Sequence, residues 1–348
     1  SKCTAFDGCK GGACVGVAID VTAICDDGVG CTVDGCEAGV GCVHPAKVFD
    51  ATLGGPGADD ARALVAVSNG FALAGTTASN GAGQYDFWLV RTDLSGQVVW
   101  DKTFGGPQTD VARAIVAVAD GFAVAGKTLS KGLGNSDFWL IRTDAEGLAL
   151  WDKTYGGTEL DEAEALVALA DGFALAGPTQ SKGAGGYDAW LVRTDNAGKV
   201  VWDKTYGGSA QDQAYALGAL PDGFALGGST TAPSGGNWKG WLVRTDASGG
   251  VLWEKTYGSS GTNLAFTLTV LPDGFALGGN TTPKGASNSD FWLVRTDATG
   301  LVMWEKTYGG AGVDSARGLT VLPDGFALLG DTTSNGSGSQ DGWLVRTD

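Results

Sequence analysis

The chain has 348 residues, a formal net charge of -16, 43% hydrophobic residues, 59 glycines, one histidine and one methionine. That apolar fraction is enough for a real core, so a disordered chain is excluded. The acid surplus, with no basic stripe to offset it, argues against nucleic acid as a partner, and no run approaches the roughly 18 apolar residues of a spanning helix, which argues against membrane insertion.

In chain order, the first predicted unit is residues 1–45. All seven cysteines lie there: Cys3, Cys9, Cys14, Cys25, Cys31, Cys36 and Cys42. A glycine-rich stretch of that size buries too little apolar surface to hold itself together, so disulfides are the expected staples. An oxidising compartment follows, and the protein is expected to be secreted or displayed on a cell surface. Asp26, Asp27 and Asp34 are weak calcium candidates, with a solvated acidic turn as the competing reading. No other cofactor is expected.

From residue 51 onward the sequence repeats with a period of 51 residues. Each copy is marked by "DGF" or "NGF" (Asn69, Asp120, Asp171, Asp222, Asp273, Asp324), then by "WLVRTD" or a near variant beginning at Trp88, Trp139, Trp190, Trp241, Trp292 and Trp343. A third mark, "W[DE]KT[YF]G", starts at Trp100, Trp151, Trp202, Trp253 and Trp304. The second copy shows four strand-like runs, "ARAIVAVA", "GFAVAGKT", "DFWLIRTD" and "LALWDKTY", separated by turn-forming Asp-Gly and Asp-Ala-Glu-Gly. Four strands per repeat of 40 to 50 residues predict a β-propeller blade.

The predicted fold is therefore all-β: a six-bladed β-propeller of four-stranded blades over residues 46–348, with a small disulfide-rich N-terminal domain over residues 1–45. The last copy ends before its fourth strand, whereas "AKVFDATL" at 46–53 reads as a fourth strand without its first three. The expectation is that this N-terminal strand closes the last blade.

Within a blade, the tryptophans and the alanine-rich first strand read as core. Arg91, Arg142, Arg193, Arg244, Arg295 and Arg346 recur once per copy; a structural pairing is expected, with the acids of the fourth strand (Asp101, Asp152, Asp203, Glu254, Glu305) as partners. The aspartates before the first and third strands are expected to cap turns by accepting backbone N–H bonds rather than to hold calcium.

The loops between strands four and one, and between two and three, differ from copy to copy and emerge on one face, which makes that face the expected binding surface. One position at the start of the first strand varies among fixed neighbours: Arg62, Arg113, Glu164, Tyr215, Phe266 and Arg317. The fourth copy adds Trp238 and Lys239. These eight residues are the candidates for contact with a sugar or a peptide; drift of dispensable surface residues would give the same pattern. Catalysis has little support, because His44 is the only histidine and stands outside the repeats, although carboxylate pairs for glycoside hydrolysis stay open.

The blade text "DGFALAGTT…DFWLVRTD…GQVVWDKTFGG" resembles a repeat of secreted and surface proteins of bacteria and archaea, which implies an extracellular propeller without a defined activity. "RTDASGGVLWEKT" also looks like a segment of pyrroloquinoline quinone enzymes, whose eight blades and quinone site this chain does not show. "CTAFDGCKGGACVG" and "CDDGVGCTVDGCEAGVGCVH" resemble tandem four-cysteine modules of secreted myxobacterial proteins. That resemblance implies that Cys25, Cys31, Cys36 and Cys42 make one module, and that Cys3, Cys9 and Cys14 belong to another whose first cysteine precedes Ser1; a free reactive thiol is the competing reading. The function expected is a noncatalytic extracellular or cell-surface propeller that recognises an extracellular protein or glycan, or copies of itself in a surface assembly. The alternative is an extracellular glycan-active enzyme using carboxylates on the same face.

Overall fold

The computed structural model describes residues 50–348 apart from 233 and 259, together with four short strands in the cysteine-rich region, Cys9–Lys10, Ala13–Cys14, Gly35–Glu37 and Gly41–Val43. The remaining expectations for residues 1–49, including the disulfides and the calcium candidates Asp26, Asp27 and Asp34, lie outside the described residues.

The repeats fold as the periodicity predicts. In the second copy, strand a (Asp110–Val118), strand b (Gly121–Thr128), strand c (Asp137–Asp144) and strand d (Ala149–Tyr155) form one antiparallel sheet in the order a-b-c-d. Copies one to five give such four-stranded sheets, and the sixth shows three strands, Asp314–Leu322, Gly325–Thr332 and Asp341–Thr347. The molecule is a six-bladed β-propeller. Residues 50–53, assigned by sequence to the missing strand d, are irregular, and residues 46–49 lie outside the described residues.

Why the blades stack is visible at each junction. Blade 2 presents Ala123, Ala125, Phe138 and Leu140 to Ala163, Leu166, Phe173, Leu175 and Trp190 of blade 3. Strand a supplies alanines where the blades converge, and the tryptophans fill the wider periphery. Phe138 lies tilted on Trp190 with ring centroids 4.7 Å apart, and Trp151 of strand d meets Phe173 edge-on at 6.0 Å. Tyr155, at the end of strand d, donates its hydroxyl to the Gly198 carbonyl of the next blade at 2.7 Å, a link repeated by Tyr206 to Gly249 and Tyr257 to Gly300.

Five such clusters join blades 1 to 2 through 5 to 6 among the described residues. The seam between blades 6 and 1 differs: Leu344 is 66% exposed where Leu89, Leu140, Leu191, Leu242 and Leu293 are buried to 1% or less. On the facing side of the seam, Leu64 is 62% exposed where Ile115 and Leu166 are buried.

The repeated arginines are structural, with different partners from those expected. Arg142 donates to the carbonyls of Phe122 (3.2 Å) and Thr143 and to the Asp120 carboxylate of the a–b turn. Equivalent contacts join Arg193 to Asp171, Arg244 to Asp222, Arg295 to Asp273, Arg346 to Asp324, and Arg91 to Asn69. Register explains the correction: Arg142 pairs with Trp151 across strands c and d, so Asp152 points to the opposite face. There Asp152 accepts the Trp139 indole N–H at 2.8 Å instead.

The aspartates cap turns as expected. Asp110 accepts the Gly106 N–H at 2.9 Å and the Ser130 hydroxyl at 2.7 Å, and Asp137 accepts the Leu133 N–H at 2.7 Å. These carboxylates meet in pairs at the blade junctions, around the glycine that follows strand d: a Cβ on Gly156 would lie 2.0 Å from Asp137 Oδ1 and 2.7 Å from Asp161 Oδ2. Burial, reinforced by the Asp161 charge, pushes the Asp137 carboxyl up to about 6. Burial pushes Asp188 and Asp290 the same way.

A raised carboxyl means that the folded state holds a proton that the unfolded chain, with a carboxyl near its ordinary value, has already lost. The folded state is thus favoured below the unfolded value, and this contribution disappears as pH rises through about 6. We expect Asp137→Asn, which keeps an acceptor for the Leu133 N–H, to flatten the loss of stability between pH 4 and pH 7. Urea midpoints at both pH values check this, and an unchanged slope in the variant would reject the assignment.

Candidate functional site

Strand a of blades 1, 2, 4, 5 and 6 carries a β-bulge at the same place. In blade 2, Ala125 pairs with Ala114 and Gly126 with Ala112, which leaves Arg113 unpaired between them. The same skip leaves out Arg62, Tyr215, Phe266 and Arg317. In blade 3, Glu164 precedes strand a and donates its N–H to the Ala176 carbonyl at 2.9 Å, beside the Ala165–Ala176 pair.

The cause is legible in strand b. Gly126 and its equivalents stand opposite the bulge, and a Cβ on Gly126 would lie 2.0 Å from the Val111 carbonyl oxygen. Only glycine lets the bulged backbone approach so closely, and the bulge re-aims one side chain per blade.

Five of the six variable positions predicted from sequence are therefore bulge residues of the innermost strands, with Glu164 just before strand a at the equivalent place, and neighbouring members of the set come into contact. Arg113 Nε lies 3.6 Å from Glu164 Oε1 across the junction of blades 2 and 3. Tyr215 and Phe266 meet edge-on with centroids 5.4 Å apart, and the Arg317 guanidinium sits 4.8 Å from the Phe266 ring centroid. Arg62 pairs with Asp60 of its own strand at 2.5 Å. The ring is thus cationic on blades 1, 2 and 6, acidic on blade 3 and aromatic on blades 4 and 5.

Four neighbours were not singled out from sequence. Lys127 of blade 2 bonds Glu162 of blade 3 at 2.5 Å, Asp60 holds Arg62, and Asp331 lies 3.9 Å from Arg317. For Asp60 and Glu162 the available signal was the position two residues before the bulge, which also varies (Asp60, Val111, Glu162, Gln213, Leu264, Ser315).

Burial shapes the electrostatics. It pushes the Glu164 carboxyl upward, a shift that Arg113 opposes and Glu162 reinforces. Burial likewise pushes the Tyr215 phenol up to about 12, aided by the charges of Glu164 and Glu162. Tyr215 is accordingly a neutral hydroxyl at physiological pH, and it donates to the Gln213 carboxamide oxygen.

The variable loops share one face, as strand direction requires. The d–a loops donate to the b–c loops through Gly57 N–H to Ser79 Oγ (2.8 Å), Glu159 N–H to Ser181 Oγ (3.1 Å) and Gly312 N–H to Ser334 Oγ (2.8 Å). The bulge ring lies a few residues inside that face. Trp238 and Lys239 stand apart from the ring. They lie where the b–c loop of blade 4 enters strand c, and the Trp238 carbonyl accepts the Asn263 N–H of blade 5 at 2.8 Å.

The class that fold and site define is a six-bladed β-propeller with a variable ring of bulge residues. No family model matches the chain. The chain is similar to the regulatory protein FlaEY of Caulobacter vibrioides, 28% identical over 255 residues, a match covering 66% of this chain and 23% of that protein. Among solved structures, Sqt1 from Chaetomium thermophilum aligns with a TM-score of 0.41 at 14% identity, over 79% of this chain and 80% of its own. An acylaminoacyl peptidase from Pyrococcus horikoshii aligns with a TM-score of 0.45 at 12% identity, over 83% of this chain and 45% of its own.

Proposed function

We propose that this chain is a noncatalytic, extracellular or cell-surface propeller that recognises a protein or glycan at the mouth of its central channel. The observation that carries this reading is positional: a strand position that varies between otherwise similar blades is the one the a–b ladder skips at the bulge in blades 1, 2, 4, 5 and 6. A scaffold that keeps its bulge and varies the residue on it presents cationic, acidic and aromatic groups from one rigid framework, which is what recognition requires. The cysteine-rich head fits an oxidising compartment, and the Caulobacter relative's description as a regulatory protein sits with a binding role.

The aromatic sector is the expected anchor, because rigid rings supply most contact energy for little entropy cost. Replacing Tyr215 and Phe266 together with alanine should weaken binding of a ligand selected on glycan and peptide arrays by tenfold or more, about 1.4 kcal/mol. Retention of full affinity by that variant, with its melting unchanged, would place recognition elsewhere.

A second reading, an extracellular glycan-active enzyme, is favoured by one observation. Glu164 is held above the ordinary carboxyl range two residues from Glu162, which is ion-paired with Lys127. A carboxyl raised by burial beside a second carboxylate is an arrangement suited to acid–base work on a glycosidic bond. Turnover in a polysaccharide hydrolysis screen that Glu164→Gln abolishes would establish it; no turnover leaves the binding role.

A further inference from the structure

The blades carry an ammonium site that some of them fill with their own lysine. In blade 2, Lys131 Nζ lies 2.5 Å from Asp152 Oδ2 and 4.9 Å from the Trp139 ring centroid. In blade 3, Lys182 Nζ lies 2.5 Å from Asp203 Oδ2 and 4.7 Å from the Trp190 centroid. Each carboxylate also accepts the indole N–H of that tryptophan, at 2.8 and 2.9 Å. The residue before each lysine is a serine whose hydroxyl bonds the aspartate at the start of strand a, Ser130 to Asp110 at 2.7 Å and Ser181 to Asp161 at 2.6 Å.

Blade 4 keeps the receptor and loses the occupant. Trp241 donates its indole N–H to Glu254 Oε2 at 3.3 Å, and Asp212 accepts the Gly208 N–H at 2.9 Å. In sequence, however, the serine-lysine dipeptide is Ala232-Pro233, the one copy that offers neither hydroxyl nor ammonium there. A cavity of about 470 Å³ opens at this place, lined among others by Asp212, Thr230, Thr231, Trp241, Glu254 and Thr256. Lys255 also lines it but does not replace the missing group, because its equivalents Lys153 and Lys204 coexist with Lys131 and Lys182.

We propose that this blade 4 cavity binds a primary alkylammonium group, the lysine side chain of a partner protein or a free polyamine, between Trp241 and Glu254. The sister blades show the chemistry that fits: a cation against an indole, with a charge-assisted bond to a carboxylate that the indole N–H orients. A ligand hydroxyl or a second N–H has Asp212 and the three threonine hydroxyls to meet. The chain's net charge of -16 steers cations toward such a cleft. The site lies by strands c and d of blade 4, not in the bulge ring, so it stands or falls independently of the reading above.

N-acetyl-lysine methylamide titrated into the full chain should shift the Trp241 indole NMR resonance, assigned with Trp241→Phe, whereas the norleucine analogue should not. Glu254→Gln should weaken that binding about fivefold. The double substitution A232S/P233K, which restores the sister blades' own occupant, should abolish it. A lysine-containing peptide binding more tightly than spermidine points to a partner protein, and the reverse order to a free polyamine. The proposal is overturned if neither amine shifts the resonance, or if Glu254→Gln binds the lysine amide as well as the parent. Undiminished binding by A232S/P233K with an unchanged melting transition overturns it too, and Glu254→Gln decides alone if that double variant does not fold.

Discussion

Leu293→Ala is expected to lower stability by roughly 2–5 kcal/mol, whereas the same substitution at Leu344, one repeat later, should cost about 0.5 kcal/mol or less. The two leucines have the same neighbours in sequence and the same place on strand c. Leu293 is fully buried in the cluster joining blades 5 and 6, with Phe291, Ala316 and Leu328 around it. Truncating it removes transfer energy and leaves a cavity that the surrounding side chains fill only in part. Leu344 faces the seam and is 66% exposed, so there is little burial to lose. Urea denaturation of the two variants measures the contrast directly. Equal costs would mean that the seam face is covered in solution. Residues 46–53, which the sequence reading assigns to the outer edge of blade 6, would then be the first segment to delete.

The blades were legible because their signals are local and repeated. The aromatic and aliphatic run in "DFWLIRTD" and the Asp120-Gly121 turn are read within a few residues, and Gly121 has φ +147 with a would-be Cβ 2.3 Å from the Thr143 carbonyl. The variable position was legible too, since six copies act as their own alignment. What the copies could not reveal is cross-strand register. The expectation that Arg142 meets Asp152 failed by one residue, and a one-residue offset on a strand moves a side chain to the other face. The bulge was hidden for the same reason: Gly126 and Arg113 are 13 positions apart, and only the pairing of strands a and b shows that one makes room for the other's unpaired backbone. The lysine sites needed a further step, because Lys131 and Trp139 meet through a loop whose path no periodicity encodes.

Arg142→Ala is expected to cost roughly 2–4 kcal/mol, and Asp120→Ala, which removes the partner of the same ion pair, no more than about 1 kcal/mol. The asymmetry follows from where the two groups sit. The Arg142 side chain is 8% exposed and that of Asp120 is 73% exposed, so water screens the charge attraction and relieves Asp120 when it is left alone. The guanidinium also serves the Phe122 and Thr143 carbonyls, buried acceptors that lose their donor when it is removed. Arg142→Lys should recover little, since a single ammonium cannot span two carbonyls and a carboxylate in the plane of a fork. Arg346 provides the control within the same chain. It bonds Asp324 at 2.5 Å but is 60% exposed, so Arg346→Ala should cost about 1 kcal/mol or less. If Asp120→Ala proved as damaging as Arg142→Ala, the exposed ion pair rather than the buried carbonyl contacts would be what ties strand c to the a–b turn.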